Sequence, residues 1–346
     1  MRTGAPDLRA DGGAEHSASS TPRILVLTDP AMERHAAAGH PERRERLAAV
    51  TAGVDAGAAE AGAELTTRSP APAEDRTIVA VHDPQYLAEL EAFDATGGGW
   101  LDADTYLAQG SMMAARLAAG GAVEAAMAVA RGEATLTFAV VRPPGHHAAA
   151  RRAGGFCLLN NVAIAAAALR NAGLASRIAI VDWDVHHGDG TQELFERDPD
   201  LLYASTHQRP LFPGSGGPEE RGTGEGEGTT FNVTLPPGAE DGAFEAAWTE
   251  TLVPAIRDFR PEAIVVSAGY DGHRDDPLAH LQLTDGGYRA VARAIGALAG
   301  ELGLAGVALV LEGGYDLRAL EGSAAATVAG MLAGLAERGA IGPASA

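Results

Sequence analysis

Cysteine is nearly absent from this chain: Cys157 is the only one in 346 residues. No internal disulfide can form, and a reducing, cytoplasmic setting is the default expectation. Long apolar runs are missing as well. The first residues carry no continuous hydrophobic segment of signal-peptide type, and no later run looks long enough to span a bilayer, so no membrane segment is expected. Positive charge is scarce, with 26 Lys+Arg against 46 Asp+Glu and a formal net charge of −20. Such an acidic chain is poorly suited to grip nucleic acid through its phosphates, and direct nucleic-acid binding is not expected. The charge suits cationic substrates or products, or solubility alone.

A divider is lacking too. The 44 Gly and 19 Pro gather in loops that follow apolar runs, and no Pro/Ser/Gly-rich linker splits the chain. This length allows one large domain or two small ones, and the missing linker favours one, over residues 23–338. Residues 1–22, polar and without apolar periodicity, read as a disordered tail, and residues 339–346 as a frayed C-terminus. Between them, Ala-rich helix-forming stretches alternate with short β-branched runs: Ile24 to Leu27, Thr137 to Val141, Ile178 to Val181, Ile264 to Val266 and Val307 to Leu311. That alternation predicts an α/β fold, a single-domain open and mostly parallel sheet with helices on both faces.

What is present is a concentration of acid and imidazole after one of those runs, Asp182-Trp183-Asp184-Val185-His186-His187-Gly188-Asp189. Side chains two apart on a strand point the same way, so Asp184 and His186 can converge where the strand runs out into a loop. Oxygen and nitrogen donors without thiolate suit zinc or another borderline divalent ion, with one further protein ligand and an open position in a catalytic site. Three more runs share the design of an apolar strand ending in a Gly-containing turn with polar chemistry. They lead into Arg142-Pro143-Pro144-Gly145-His146-His147, into Ser267-Ala268-Gly269-Tyr270-Asp271, and into Glu312-Gly313-Gly314-Tyr315. In an open parallel sheet such turns converge outside the carboxyl ends of the strands, which makes Asp271 the natural third ligand. Taken singly, the histidines could be satisfied by backbone, Asp271 could cap a helix, and Tyr315 could be a packing residue. Together they supply what metal-assisted hydrolysis needs: a Lewis acid, a proton-transfer group and an oxyanion donor.

These motifs, with Gly154-Gly155-Phe156-Cys157-Leu158-Leu159-Asn160-Asn161, Asp276-Pro277-Leu278, and Gly39-His40-Pro41-Glu42 with Arg46 and His82, resemble the zinc-dependent histone deacetylase superfamily. They arrive in that family's order and span most of the chain. The Trp within the metal motif and the Leu-Leu-Asn-Asn segment are similar to class II enzymes and their bacterial relatives, the histone deacetylase-like and acetylpolyamine amidohydrolases. The resemblance implies an arginase/deacetylase-like fold and one Zn²⁺ per chain, held by Asp184, His186 and Asp271. It implies His147 as general base and then acid, oriented by Asp189, with His146 paired to Asp182 to stabilise charge and position water. Tyr315 would donate to the substrate carbonyl. Gly155, Phe156 and Phe212 would line a narrow tunnel, Leu278 would stand at its rim, and Asp104 would hold substrate backbone amides. A structural K⁺ near the zinc loop, on oxygens of Asp182, Ser205 and Thr206, is implied as well.

The expected activity is removal of an acyl group, acetyl foremost, from the side-chain amine of lysine in proteins or peptides. A small acylated amine such as an acetylpolyamine is the alternative substrate. Leu278 speaks against it, because one polyamine-selective branch of the family carries a glutamate there to meet the distal cation. Two other readings are an arginase-type site with two manganese ions and a non-catalytic module that binds acylated amines; metal stoichiometry and turnover discriminate them.

Overall fold

The computed structural model describes residues 21–337, so the tail expected over 1–22, apart from Thr21 and Pro22, and the end expected to fray over 339–346 lie outside the described residues. The Pro22 carbonyl accepts the Glu64 N–H at 2.9 Å, which ties the chain to the fold before residue 23.

The described residues form ten strands in chain order: β1 (Arg23–Leu27), β2 (Glu64–Arg68), β3 (Gly98–Trp100), β4 (Tyr106–Ala108), β5 (Leu136–Ala139), β6 (Ile178–Asp182), β7 (Leu201–Gln208), β8 (Thr230–Leu235), β9 (Ala263–Ala268) and β10 (Val307–Leu311). Eight of them make one sheet in the order β2-β1-β5-β10-β9-β6-β7-β8. Every ladder in it is parallel, while β3 and β4 form a separate antiparallel hairpin. The central strands are buried throughout, which explains why they read as continuous apolar runs and not as alternating ones. Helices Glu45–Glu60, Asp285–Glu301 and Leu317–Ala336 pack together in one group, and Ser111–Ala130 packs with Asn161–Asn171 in another. This is the single-domain, mostly parallel α/β architecture that the alternation predicted.

One expectation needs correction. Helices Ser111–Ala130 and Leu317–Ala336 are 20 residues each and apolar enough, by length and composition, to cross a membrane. The sequence hides them because alanine and glycine, not leucine and isoleucine, carry their low polarity. Their most apolar windows are 72% buried inside the fold, which is what a helix apolar on nearly all sides looks like when other elements surround it.

Beneath the sheet's carboxyl edge lies a buried ionic knot. Glu42 takes Arg142 in a bidentate pair, Nε–Oε1 at 2.7 Å and Nη2–Oε2 at 2.6 Å, and Arg46 Nη1 at 3.1 Å. All three side chains are fully buried. Burial alone raises the Glu42 carboxyl, but Arg142, with help from His35 and Arg46, outweighs it and holds the group at about 2. Glu42→Ala leaves two buried guanidinium groups without their carboxylate and is expected to cost about 3–5 kcal/mol of stability. A denaturant titration showing a loss below about 1 kcal/mol would contradict this account of the knot.

Candidate active site

Four neighbouring strands, β5, β10, β9 and β6, deliver the four polar turns to the same edge of the sheet. β6 stops at Asp182, so the metal-type pair sits just beyond it in a loop shaped by its own carboxylates. Asp182 accepts the Asp184 N–H at 3.1 Å, and Asp184 accepts the His186 N–H at 2.9 Å. Asp271, after β9, accepts the Val185 N–H at 3.0 Å, which draws the two turns together. Its side chain caps no helix. Gly313, after β10, donates its N–H to Asp184 at 2.8 Å.

Asp184, His186 and Asp271 thereby bring one ligand atom each to within 4.8 Å of one another. His186 Nδ1 lies 3.2 Å from Asp184 Oδ1 and 3.1 Å from Asp271 Oδ2. Although burial opposes it, the charge of Asp271 and the contacts with Asp184 push His186 up to about 10, so the cradle already collects positive charge. This donor set and its negative character fit a divalent zinc-type ion. A second group, His146, Cys157 and Glu312, also gathers its donor atoms. It is a poor cradle: Glu312 accepts the N–H groups of Gly145 at 2.6 Å and His146 at 3.1 Å and the Ser267 hydroxyl at 3.2 Å. Burial also raises the Cys157 thiol well above its usual range, keeping it protonated.

The two histidines after β5 differ in partner and in charge. His146 Nδ1 sits 3.0 Å from Asp182 and His147 Nδ1 sits 2.8 Å from Asp189. A carboxylate on each Nδ1 assigns the proton to that nitrogen and directs Nε2 away from it. Burial lowers both, but Asp182 and Asp184 overrule it at His146, which is raised well above its ordinary value. At His147 burial and the neighbouring His146 prevail over Asp189, and the ring falls to about 3. The two rings, 4.0 Å apart, are thus shifted in opposite directions, His146 towards the charged form and His147 towards the neutral one.

Local sequence holds this loop in place. Asn160 caps its helix by accepting the Ala163 N–H at 3.1 Å and donates to the Ala148 carbonyl at 3.0 Å, while Asn161 donates to the Pro143 carbonyl at 3.1 Å. Gly155 has φ +52° and faces the His147 ring, where a Cβ would collide with Cγ at 2.8 Å. The Tyr315 turn is set by Asp276, which accepts the N–H groups of Tyr315 at 2.7 Å and Leu278 at 3.0 Å. Arg46 lies over the Tyr315 ring at 5.1 Å and donates to the Gly314 carbonyl at 2.6 Å. Burial, reinforced by Asp271, raises the Tyr315 hydroxyl well above its ordinary value, so it stays a donor.

His146, His147, Asp184, His186 and Tyr315 border one cavity of about 200 Å³, with Gly155, Phe156, Phe212, Leu278 and Asp104 around the rest of its wall. Its volume falls below the roughly 300–1,000 Å³ usual for drug-sized ligands, and so favours a slim, unbranched chain. Phe212 is 48% exposed and meets the His147 ring edge-on at 5.0 Å, so it is a wall and not core. Phe156 stands edge-on to Tyr315 at 5.7 Å. Asp182, Asp189 and Asp271 sit behind the lining residues they hold. Ser205 and Thr206 lie on β7, away from the cavity wall; Ser205 pairs with His207 at 2.9 Å, and Thr206 accepts the Trp248 indole N–H at 3.1 Å. Sequence reasoning assigned no role to Glu312, Asp276 or the Glu42 knot. Their partners are distant in the chain, although a glutamate and an aspartate embedded in the quoted motifs were the available signal.

A family model described as the histone deacetylase domain matches residues 40–331. A probable deacetylase of Archaeoglobus fulgidus is 41% identical over 312 residues, covering 90% of this chain and 86% of that protein. A histone deacetylase-like amidohydrolase of Pseudomonas aeruginosa is 39% identical over 282 residues, 81% of this chain and 74% of its own. Among solved structures, the HDA15 HD domain gives a TM-score of 0.82 at 35% identity, covering 91% of this chain and 90% of its own. An acetylpolyamine aminohydrolase from Burkholderia pseudomallei gives 0.78 at 32% identity, covering 89% and 98%. With a family model matched over residues 40–331 and relatives about 40% identical over most of both chains, this chain belongs to the histone deacetylase family, which is zinc-dependent in general.

Proposed function

We propose that the protein is a zinc-dependent amidohydrolase that removes an acyl group, acetyl foremost, from the side-chain amine of lysine in proteins or peptides. The observation that carries this reading is the narrow cavity, where Asp184 and His186 of the cradle, the Asp189-paired His147 and Tyr315 line one space. Asp184, His186 and Asp271 would hold the zinc, which when bound would supply Lewis-acid polarisation of the acyl carbonyl and a better water nucleophile. His147 Nε2 takes the proton of the attacking water and returns it to the departing amine, with Asp189 keeping Nδ1–H in place. His146, charged and fixed by Asp182, offsets negative charge that develops at the acyl carbon's oxygens. Tyr315 donates to that developing oxyanion. Phe156, Phe212 and Leu278 exclude water along the alkyl chain, and Asp104 at the mouth accepts substrate amide N–H groups. A K⁺ beside the zinc loop would draw on main-chain oxygens of the Asp182, Ser205 and Thr206 segment, since both hydroxyls are engaged elsewhere.

An acetylpolyamine substrate is the second reading, favoured by the net charge of −20 and by the solved aminohydrolase relative. Leu278 opposes it by placing an apolar side chain on the cavity wall. The test is acetate release by the zinc-loaded protein from an acetyl-lysine peptide, with acetylspermidine in parallel. The chain contains no lysine, so its own side-chain amines contribute no acetate. Preference for the peptide is the expected result, and preference for the polyamine would move the function to small-molecule amines. Chelation should silence the activity and one zinc per chain should restore it; restoration only by two manganese ions would point to arginase-type chemistry. Binding of acetyl-lysine without any turnover would reduce the protein to a recognition module.

A further inference from the structure

A second crevice, about 480 Å³, opens beside the catalytic cavity and shares Tyr315 with it. One wall is the loop from Ala36 to Glu45 and the other is Pro277 with Tyr315. His40 forms the ridge between the two spaces. Its ring meets the tunnel wall Phe156 edge-on at 4.6 Å and lines the crevice on its other side. Its Nδ1 accepts the Glu42 N–H at 3.1 Å, which leaves Nε2–H to donate to the Asp104 carbonyl at 3.0 Å, so the ridge is fastened at both ends.

Arg43 and Arg44 line this crevice from a stretch anchored on both sides. The residue before them, Glu42, and the residue two beyond, Arg46, are fully buried partners in the ionic knot. Their backbone is therefore held, and only their exposed side chains are free to meet a ligand. Arg44 has a loose contact with Glu45, 3.5 Å between two exposed groups, which contributes little. Arg43 has no acidic partner within 4.0 Å among the described residues. In a chain of net charge −20, an arginine pair beside the reaction cavity is a local reversal of sign. Glu45 lines the same crevice and offsets one of the two charges, which leaves one positive unit among its Arg43, Arg44 and Glu45 side chains, while salt screens acids beyond about 8–10 Å.

We propose that this crevice is a substrate subsite for a carboxylate carried next to the acylated side chain, recognised by Arg43 and Arg44. The inference rests on the amidohydrolase reading and deepens it: the preferred acylated amine carries an anion where a polyamine carries a cation. The carboxylate comes either from an acidic neighbour in a peptide or from the free α-carboxylate of a terminal acyl-lysine. Guanidinium–carboxylate pairing serves both, and its planar fork favours carboxylate over a neutral amide.

The test uses the zinc-loaded full chain and acetyl-lysine peptides identical but for Glu, Gln or Lys beside the modified residue, together with a peptide ending in acetyl-lysine as the free acid or the amide. For a solvent-accessible pair, the expected preference for Glu over Gln is roughly three- to tenfold, carried by KM and reduced by added salt. The Lys peptide falls below Gln. Preference for the terminal acid over its amide would assign the α-carboxylate, and preference confined to the Glu peptide would assign the side chain. The doubly reversed variant Arg43→Glu/Arg44→Glu should invert the order to Lys over Glu, with an unchanged thermal midpoint showing that the fold is kept. Equal KM across all peptides, or an order unmoved by the double variant, would overturn the subsite. The same order read as Kd by peptide binding tests the crevice independently of turnover. Failure of acetate release thus counts against the hydrolase reading alone, and absence of charge dependence counts against the subsite alone.

Discussion

Tyr315→Phe is expected to lower kcat about a hundredfold or more while KM and zinc content stay near the parent values. The ring is not what the substitution removes: Arg46 above it and Phe156 at its edge contact carbon, and both contacts survive in phenylalanine. The main-chain hydrogen bond to Asp276 survives as well. Only the hydroxyl is lost, and burial with the nearby carboxylate of Asp271 keeps that hydroxyl protonated across the working pH range. A donor aimed at charge that develops only in the transition state acts on kcat, and removing one such donor typically costs about 2.7–4 kcal/mol, or two to three powers of ten. The measurement is steady-state kinetics on the acetyl-lysine peptide with metal analysis of the same preparations. Unimpaired turnover by the phenylalanine enzyme would remove Tyr315 from the chemistry. A rise in KM at constant kcat would make it a ground-state binding residue instead.

The parts of this site that could be read in the sequence are those encoded locally. Asp184 and His186 stand two apart at a strand exit, and the four apolar runs ending in Gly-containing turns are the four adjacent central strands. The Asn160-Asn161 pair entered only through the family resemblance, and the structure gives it its role, one as a helix cap and both reaching back to the histidine loop. What escaped depends on partners far along the chain. Glu312 finds the N–H of His146 across 166 residues, and Glu42 finds Arg142 across 100. No spacing rule reports such pairs. Strands β2, β7 and β8 escaped for a different reason. β2 is a polar, largely exposed edge, and β7 buries Ser205, Thr206, His207 and Gln208 in its second half. Buried polar groups erase the apolar signature on which strand recognition depends. The two core helices hid their length differently, because alanine and glycine carry their low polarity.

Gly313→Ala is expected to reduce zinc affinity about ten- to a hundredfold or more and to cost about 1–3 kcal/mol of stability. The position asks for the absence of a side chain, not for an unusual backbone angle. A Cβ there would stand 2.6 Å from Asp184 Oδ2, 2.8 Å from Asp271 Cγ, and closer still to Asp271 Oδ2. Neither carboxylate can step aside freely, because Asp184 accepts the His186 N–H and Asp271 accepts the Val185 N–H. The Gly313 N–H itself donates to Asp184 at 2.8 Å and its carbonyl accepts from Tyr270 at 3.0 Å, so retreat of the backbone breaks bonds on both sides. One methyl group therefore spreads the cradle, and misplacing the groups that orient ligands typically costs 10–100-fold in metal affinity or activity. Gly242→Ala is the matched control: nothing lies within 4 Å of its Cβ, its φ is ordinary, and it sits in the first turn of helix Asp241–Ala246. It should leave zinc binding untouched and stability equal or slightly raised, because alanine restricts the unfolded chain. Competitive zinc titration of the two variants gives the contrast. Normal zinc affinity in Gly313→Ala, with its fold intact, would mean that Asp184 and Asp271 do not hold the metal together, and the site assignment would fall with it.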